Sequence, residues 1–367
     1  MEFKHTEERQ MLVDTLARYL QNEYPLAARN KAAISEHGFS AGQWDTFAEL
    51  GILGAFFTED QGGFGGSAFD VAAVFEELGR ALVVEPLLDC ALRPGHLLAA
   101  VGDLDRLSDI VSGSSRYVAA IGGADSIAPQ VSATQTAIGW VLNGTAAQVK
   151  FASGADALIV AAQTGEDEPM MSLFVIESQA KGIAMAHHGT FDGGSLSELH
   201  FDTVELERAA LLGPLHGALD IIGDANAWAC LAICAEALGI MEAIKEATLD
   251  YLRTRTQFGT VIGRFQALQH RMTQVLLEIE QARSAVINAS ASMTKNRAER
   301  DRALSAAKYS IGRIGTLVAE EAIQLHGGIG MTWEYDMGHF AKRLVMIDHE
   351  MGDADHHLAK YMEPELV

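Results

Sequence analysis

The chain has 367 residues, 49% of them apolar, with 35 glycines, 7 prolines and a formal net charge of −22. That composition supplies core for two or three packed layers or domains and does not fit a disordered chain. The acidity argues against nucleic acid and acidic membranes as partners, because both would be repelled. No apolar run approaches the ~20 residues of a bilayer span, and the N-terminus shows no signal-peptide pattern. Cys90, Cys230 and Cys234 have no repeated pair spacing, so buried apolar roles in a reducing, cytoplasmic setting are expected rather than a disulfide or a metal.

From Glu2 to about Ser114 the pattern is helical, with Leu12, Val13, Leu16 and Leu20 at helix spacing. Residues 60–66 hold too many glycines for a helix, and helix resumes over 69–80. Between about Arg116 and Leu206 the period shortens. Asn143-Gly144 after an apolar run is the strongest hairpin-turn signal. Residues 157–162 and 173–176 read as buried strands, and 199–204 as a half-exposed one. From Ala218 helices return. One apolar stripe runs Met272, Val275, Leu276, Ile279, Ala282, Val286, Ala289, and another Ala307, Ile311, Ile314, Val318, Ala322, separated by a charged turn over 295–302. The predicted fold is mainly α with an inserted β domain: an N-terminal helical domain over 1–115, a central β domain over 116–213 and a C-terminal four-helix bundle over 214–367.

Two stretches carry the chemistry. Arg255-Thr256-Gln257-Phe258-Gly259, followed by Gln266, sets a guanidinium, an aromatic ring and amides around one glycine. Gln324-Leu325-His326-Gly327-Gly328-Ile329-Gly330 places three glycines where a helix should end. An Arg fork suits phosphate oxygens bidentately, and glycines let backbone N–H groups approach a diphosphate closely. Taken alone, the glycines read first as a plain helix stop and only second as a phosphate cradle. The combination resembles the acyl-CoA dehydrogenase family, over nearly the whole chain. Gly62-Gly63-Phe64-Gly65 and Glu76-Glu77-Leu78-Gly79-Arg80 extend the likeness to the N-terminal half, and residues 81–86 are similar to small subunits of heteromeric members of the pimeloyl-CoA and steroid side-chain CoA dehydrogenase type. The resemblance implies FAD as cofactor. It also implies that Arg255, Phe258, Gln266, Gln324, Gly327 and Gly328 bind the adenine and pyrophosphate end of the FAD of a neighbouring subunit.

Other parts that the resemblance implies are missing. Desaturation of an acyl-CoA needs a carboxylate to take the α-proton while the β-hydride passes to the flavin, and donors for the charge developing on the thioester oxygen. The usual base position falls on Met351 and an alternative one near Ala229. Glu350 and Asp353 flank the first and Glu236 lies in the region of the second; Glu350 is the candidate base that remains, and all three also read as solvated or ion-paired carboxylates. The T-E-P-x-x-G-S-D-like loop that contacts the isoalloxazine is here Ala120-Ile121-Gly122-Gly123-Ala124-Asp125-Ser126. The aromatic that packs beside the flavin ring appears as Gln148 or its neighbour, and the basic residue before it as Ala146. His356-His357 read as part of a solvated terminal helix, and no metal site is expected.

The expected function is a subunit of an FAD-dependent acyl-CoA dehydrogenase that lacks its own base and completes a partner's FAD site. Acyl-CoA would be the substrate, in fatty acid or steroid catabolism. A larger dehydrogenase subunit (as a heterotetramer) or self-association would complete the assembly, and an electron-transferring flavoprotein would take the electrons. Two other readings are a self-sufficient homo-oligomer with Glu350 as a displaced base, and a non-catalytic scaffold that keeps the fold.

Overall fold

A computed structural model describes residues 5–121, 130–165, 170–332 and 335–363. The helices α1 (Glu7–Glu23), α2 (Leu26–Ala33), α3 (Ala41–Glu49), α4 (Ala68–Arg80), α5 (Arg93–Val101) and α6 (Leu104–Val111) come first. The strands β1 (Tyr117–Ala120), β2 (Gln130–Gln135), β3 (Gly139–Lys150), β4 (Ala157–Gln163), β5 (Met171–Glu177), β6 (Ile183–Gly189), β7 (Ser195–Glu207) and β8 (Leu211–Leu212) follow. The long helix α7 (Ala218–Thr254), the short strands β9 (Thr256–Gln257) and β10 (Thr260–Val261), and helices α8 (Gln266–Ser292), α9 (Arg297–His326), α10 (Met337–Asp348) and α11 (Ala354–Met362) complete the chain. This is the predicted class, helices around an inserted sheet. The chain divides into two compact units, one of Ala27–Asp70 and Val84–Ala229, the other of Met1–Leu26, Val71–Val83 and Cys230–Val367.

In the first unit the strand order is β6-β7-β3-β2-β4-β5-β8, with β1 parallel to β4. β4 and β5 are buried almost throughout, which is why they read as continuous apolar runs rather than alternating ones. The Asn143-Gly144 signal does not make a hairpin: both residues lie inside β3, at a register irregularity against β7. Gly144 has φ +129°, and Asn143 Oδ1 accepts from the Thr203 amide at 2.8 Å. A neighbouring strand satisfies the Asn side chain, so the local turn preference becomes a bulge. The actual β2–β3 turn follows Gln135, where the Thr136 amide donates to the Gly139 carbonyl at 2.8 Å. The helical part of this unit is sealed by Trp44, Phe47, Phe56 and Phe57, all fully buried, and Trp44 Nε1 donates to the Gly113 carbonyl at 3.0 Å. The glycines of 62–66 permit close backbone contact there. A Cβ on Gly63 would stand 2.2 Å from the Phe57 carbonyl oxygen.

In the second unit α8, α10 and α11 all pack on α9. The two predicted stripes are buried except Leu276, which lies at the edge of its stripe and is 36% exposed. Each fully buried Ile or Val there contributes about 1.5–3 kcal/mol. α4 and α7 approach backbone to backbone through paired glycines. A Cβ on Gly79 would meet the Glu236 carbonyl oxygen at 2.0 Å, and one on Gly239 the Glu76 carbonyl oxygen at 1.9 Å. Beside that crossing Glu242, buried, is held by Lys245, by Arg283 at 3.0 Å and by Arg80 at 3.5 Å. α7 itself contains an apolar window long enough by length and composition to cross a bilayer, a length that single polar residues conceal in the sequence. Of that window 89% is buried in the protein's own interior, as in a core helix. The three cysteines are free and buried, as expected.

Candidate functional site

The Arg255 motif folds as a hairpin on the end of α7. Arg255 continues the last turn, its amide donating to the Tyr251 carbonyl at 2.8 Å, and its own carbonyl accepts from Ile262 at 2.9 Å. β9 and β10 pair antiparallel, Gln257 with Thr260 and Thr256 with Val261. The turn between them is Phe258-Gly259, with φ +54° and +77°. Two left-handed residues in a two-residue hairpin make a type I′ turn, which favours Asn-Gly or Gly-Gly and is strained for an aromatic. Phe258 is also 90% exposed, touching Phe265 edge-on at 6.2 Å between ring centres. Arg255 is exposed and has no side-chain partner among the described residues, and Gln266 opens α8 on the surface.

The second motif ends α9. Gln324 is exposed on the last turn. Gly327 takes φ +67° with ψ −146°, a region only glycine enters freely, and a Cβ on Gly327 or Gly328 would meet nothing within 4 Å. The turn therefore presents bare, accessible backbone. A helix C-terminus carries partial negative charge, so an anion bound here needs a cation nearby, and Arg255 is an available one. Between the motifs Tyr251 donates its hydroxyl hydrogen to the His326 carbonyl at 3.2 Å. The two ring centres lie 4.5 Å apart, and the Tyr335 ring centre stands 5.2 Å from that of His326. His326 Nδ1 donates to the Ala322 carbonyl at 2.8 Å, and burial pushes its pKa down.

The carboxylates expected as candidate bases are committed elsewhere. Arg343 donates from Nε and Nη2 to the two oxygens of Glu236, at 2.6 and 2.9 Å, and from Nη1 to Glu350 at 2.6 Å. One guanidinium thus holds both carboxylates in charge-assisted hydrogen bonds. Asp353 caps α11, accepting from the His356 amide at 2.8 Å, and that bond holds its carboxyl below the usual range. Met351 occupies a turn with φ +60°, followed by Gly352 at +97°. The turn is pinned from below by Lys308, fully buried, whose Nζ donates to the Asp348 carbonyl at 3.0 Å and the Gly352 carbonyl at 2.6 Å. His357 Nε2 donates to the Met351 carbonyl at 2.9 Å. His357 is thus buried, not solvated as its place on a terminal helix implied, and burial lowers its pKa to about 4. No cluster of metal-ligating side chains occurs among the described residues.

In the sheet unit Ala229 is fully buried and Ala146 nearly so. Gln148 sits exposed at φ +58° in a second irregularity of β3, after Ala146. Of the loop that replaces Thr-Glu-Pro, residues 122–126 lie outside the described residues. The sequence reading missed Arg343, Lys308 and Tyr251. Tyr251 had a signal, standing one helical turn before Arg255. Arg343 and Lys308 had none, because Glu236 lies 107 residues from Arg343, Glu350 stands beyond the end of α10, and the partners of Lys308 are backbone carbonyls.

Residues 6–92 match the acyl-CoA dehydrogenase N-terminal domain and residues 221–355 the acyl-CoA dehydrogenase C-terminal domain. The chain is 32% identical over 339 residues to the acyl-CoA dehydrogenase IpdE2 of Mycobacterium tuberculosis, covering 92% of this chain and 91% of that protein. Among solved structures it resembles the Tcur3481–Tcur3483 steroid dehydrogenase variant, with a TM-score of 0.86, 26% identity and 98% of both chains covered. The ChsE4–ChsE5 complex from Mycobacterium tuberculosis shares the fold at TM-score 0.89 and 24% identity, over 100% of this chain and 99% of that one. The chain belongs to the acyl-CoA dehydrogenase family, a family of FAD-dependent oxidoreductases.

Proposed function

We propose that this chain is a cytoplasmic subunit of an FAD-dependent acyl-CoA dehydrogenase that introduces an α,β double bond into an acyl-CoA thioester. It supplies the adenine and diphosphate end of an FAD site whose flavin pocket and base belong to a larger partner subunit. Arg255 would bind the diphosphate, Gly327 and Gly328 would let backbone amides approach it, and Gln266, Gln324 and Phe258 would line the adenylate end. FAD, when bound, accepts the hydride that leaves the β-carbon. An electron-transferring flavoprotein is the proposed acceptor.

The observation that carries this reading is Phe258, an aromatic held in a strained left-handed turn and left almost wholly exposed, three residues after Arg255, whose guanidinium has no partner among the described residues. Strain of this kind persists where something outside the folded chain uses it. The residues present fit the diphosphate half of FAD: an available cation, open glycine backbone and an exposed ring. Those at the flavin-ring half do not, since Ala146 and Gln148 offer neither charge nor ring. The Arg343 clamp on Glu236 and Glu350 supports a chain without its own base and weighs against Glu350 as a displaced one. In the similar steroid dehydrogenase Tcur3481 is paired with Tcur3483, and that pairing supports a two-subunit assembly here.

The test is the visible spectrum of the chain purified alone and after co-expression with a larger homologue from its own genome. A colourless chain that yields a flavin-bearing complex only with the partner is expected. A stoichiometric flavin band in the chain alone, bleached by acyl-CoA, would overturn the half-site reading.

A further inference from the structure

The two halves of the diphosphate cradle come from separate stretches of the second unit, Arg255 following α7 and Gly327-Gly328 closing α9. A bidentate guanidinium contact tolerates little error in position, so something must fix the distance between them. We infer that Tyr251 is the positioning residue that sets this spacing. This rests on the cradle reading given above.

Tyr251 is bonded to both halves at once. Its carbonyl accepts the Arg255 amide at 2.8 Å. Its hydroxyl donates at 3.2 Å to the carbonyl of His326, the residue directly before Gly327. That carbonyl belongs to the last turn of α9, where helix geometry leaves acceptors without an intrahelical donor. His326 also caps the tight turn Gly327–Met331 that follows, so the hydroxyl gives this carbonyl a second donor and ties the glycine turn to the hairpin in one step. The His326 ring backs the contact. It is buried, with Nδ1 committed to the Ala322 carbonyl and Nε2 without a hydrogen-bond partner among the described residues, and its ring centre lies 4.5 Å from that of Tyr251 and 5.2 Å from that of Tyr335. A ring held by these contacts and by the Nδ1 bond restrains the carbonyl of the same residue. The structure places no Tyr251 atom on the exposed face of Gly327 or Gly328, so its role is exerted through them.

The test uses the tagged full chain purified from its own host with whatever subunit accompanies it, stripped of flavin and titrated with FAD. Tyr251→Phe keeps the ring and removes only the hydroxyl. Losing one hydrogen bond predicts FAD retention about 5- to 10-fold weaker. ADP, which carries the diphosphate but no flavin, should compete less well by the same factor. The melting temperature of the apo-protein and kcat at saturating FAD should hardly move. Arg255→Ala is run in parallel. If it weakens FAD and ADP binding while Tyr251→Phe does not, the cradle stands and the positioning role is refuted. If Tyr251→Phe lowers the melting temperature and kcat together, the tyrosine is merely structural and the inference also fails. If Arg255→Ala leaves FAD and ADP binding unchanged, the cradle reading itself falls and takes this inference with it.

Discussion

At the scale of single residues, the proposed half-site sets stability and binding against each other at Phe258. A type I′ turn prefers Asn-Gly, and replacing an ill-suited residue at a left-handed position gains roughly 0.5–1 kcal/mol. Phe258→Asn should therefore raise the stability of the isolated chain in urea titrations while lowering flavin retention in the assembled enzyme. Equal or lower stability would mean that the Phe258–Phe265 contact offsets the strain. Lys308 presents the opposite case. Its buried Nζ satisfies two carbonyls of the Met351 turn, and Lys308→Met leaves both without a donor. At about 1–3 kcal/mol for each buried orphan, less the relief of no longer burying an ammonium group, a net loss of roughly 2–4 kcal/mol is expected. A variant as stable as the parent would show that the turn is not held from below. Glu350 sorts the readings of activity. If Arg343 occupies it structurally, Glu350→Gln should leave kcat of the assembled enzyme within about twofold, whereas a base would cost roughly 10²- to 10⁴-fold.

Among elements, the α4–α7 crossing decides a contest of signs. Gly→Ala in a helix ordinarily gains close to 1 kcal/mol. At Gly79 and Gly239, however, the added methyl would lie about 2 Å from a carbonyl oxygen of the other helix. Overpacking of that severity costs ~1–3 kcal/mol or more, so each Ala variant should be destabilised. The carboxylate beside the crossing adds a pH dependence. Burial alone would raise the Glu242 pKa, but hydrogen bonds from Lys245 and Arg283 outweigh it and hold the group below its ordinary 4.5. A depressed carboxylate contributes stability that is fully present above the unfolded pKa and is lost as pH falls through the folded one. Unfolding free energy should thus decline below about pH 4.5, and the slope should be shallower in Glu242→Gln. The sequence revealed most of this level, and the reason is physical. The α8 and α9 stripes and the strands β4 and β5 are set by local periodicity. The Arg255 and Gly327 motifs are contiguous stretches, so the hairpin and the glycine turn that they form are local as well. Asn143-Gly144 misled because β7 supplies a partner that no local rule contains. The Arg343 clamp was illegible because Glu236 meets it from more than a hundred residues away in sequence.

At the scale of the whole molecule, the proposed half-site predicts a stoichiometry. Were each chain self-sufficient, a homo-oligomer would carry one flavin for each polypeptide. If this chain offers only the diphosphate end, a complex with a larger subunit should hold about one flavin for every two chains, however tightly it assembles. Flavin absorbance in denatured complex, set against polypeptide measured by amino-acid analysis, reads the ratio directly. The same complex separates contribution in trans from mere packing. Arg255→Ala on this chain removes a cation with no side-chain partner among the described residues, so the assembly should survive and the flavin should be lost. A complex that keeps its flavin with Arg255→Ala, or carries a full complement for each chain, would require this polypeptide to hold a flavin by residues other than its exposed hairpin and the end of α9.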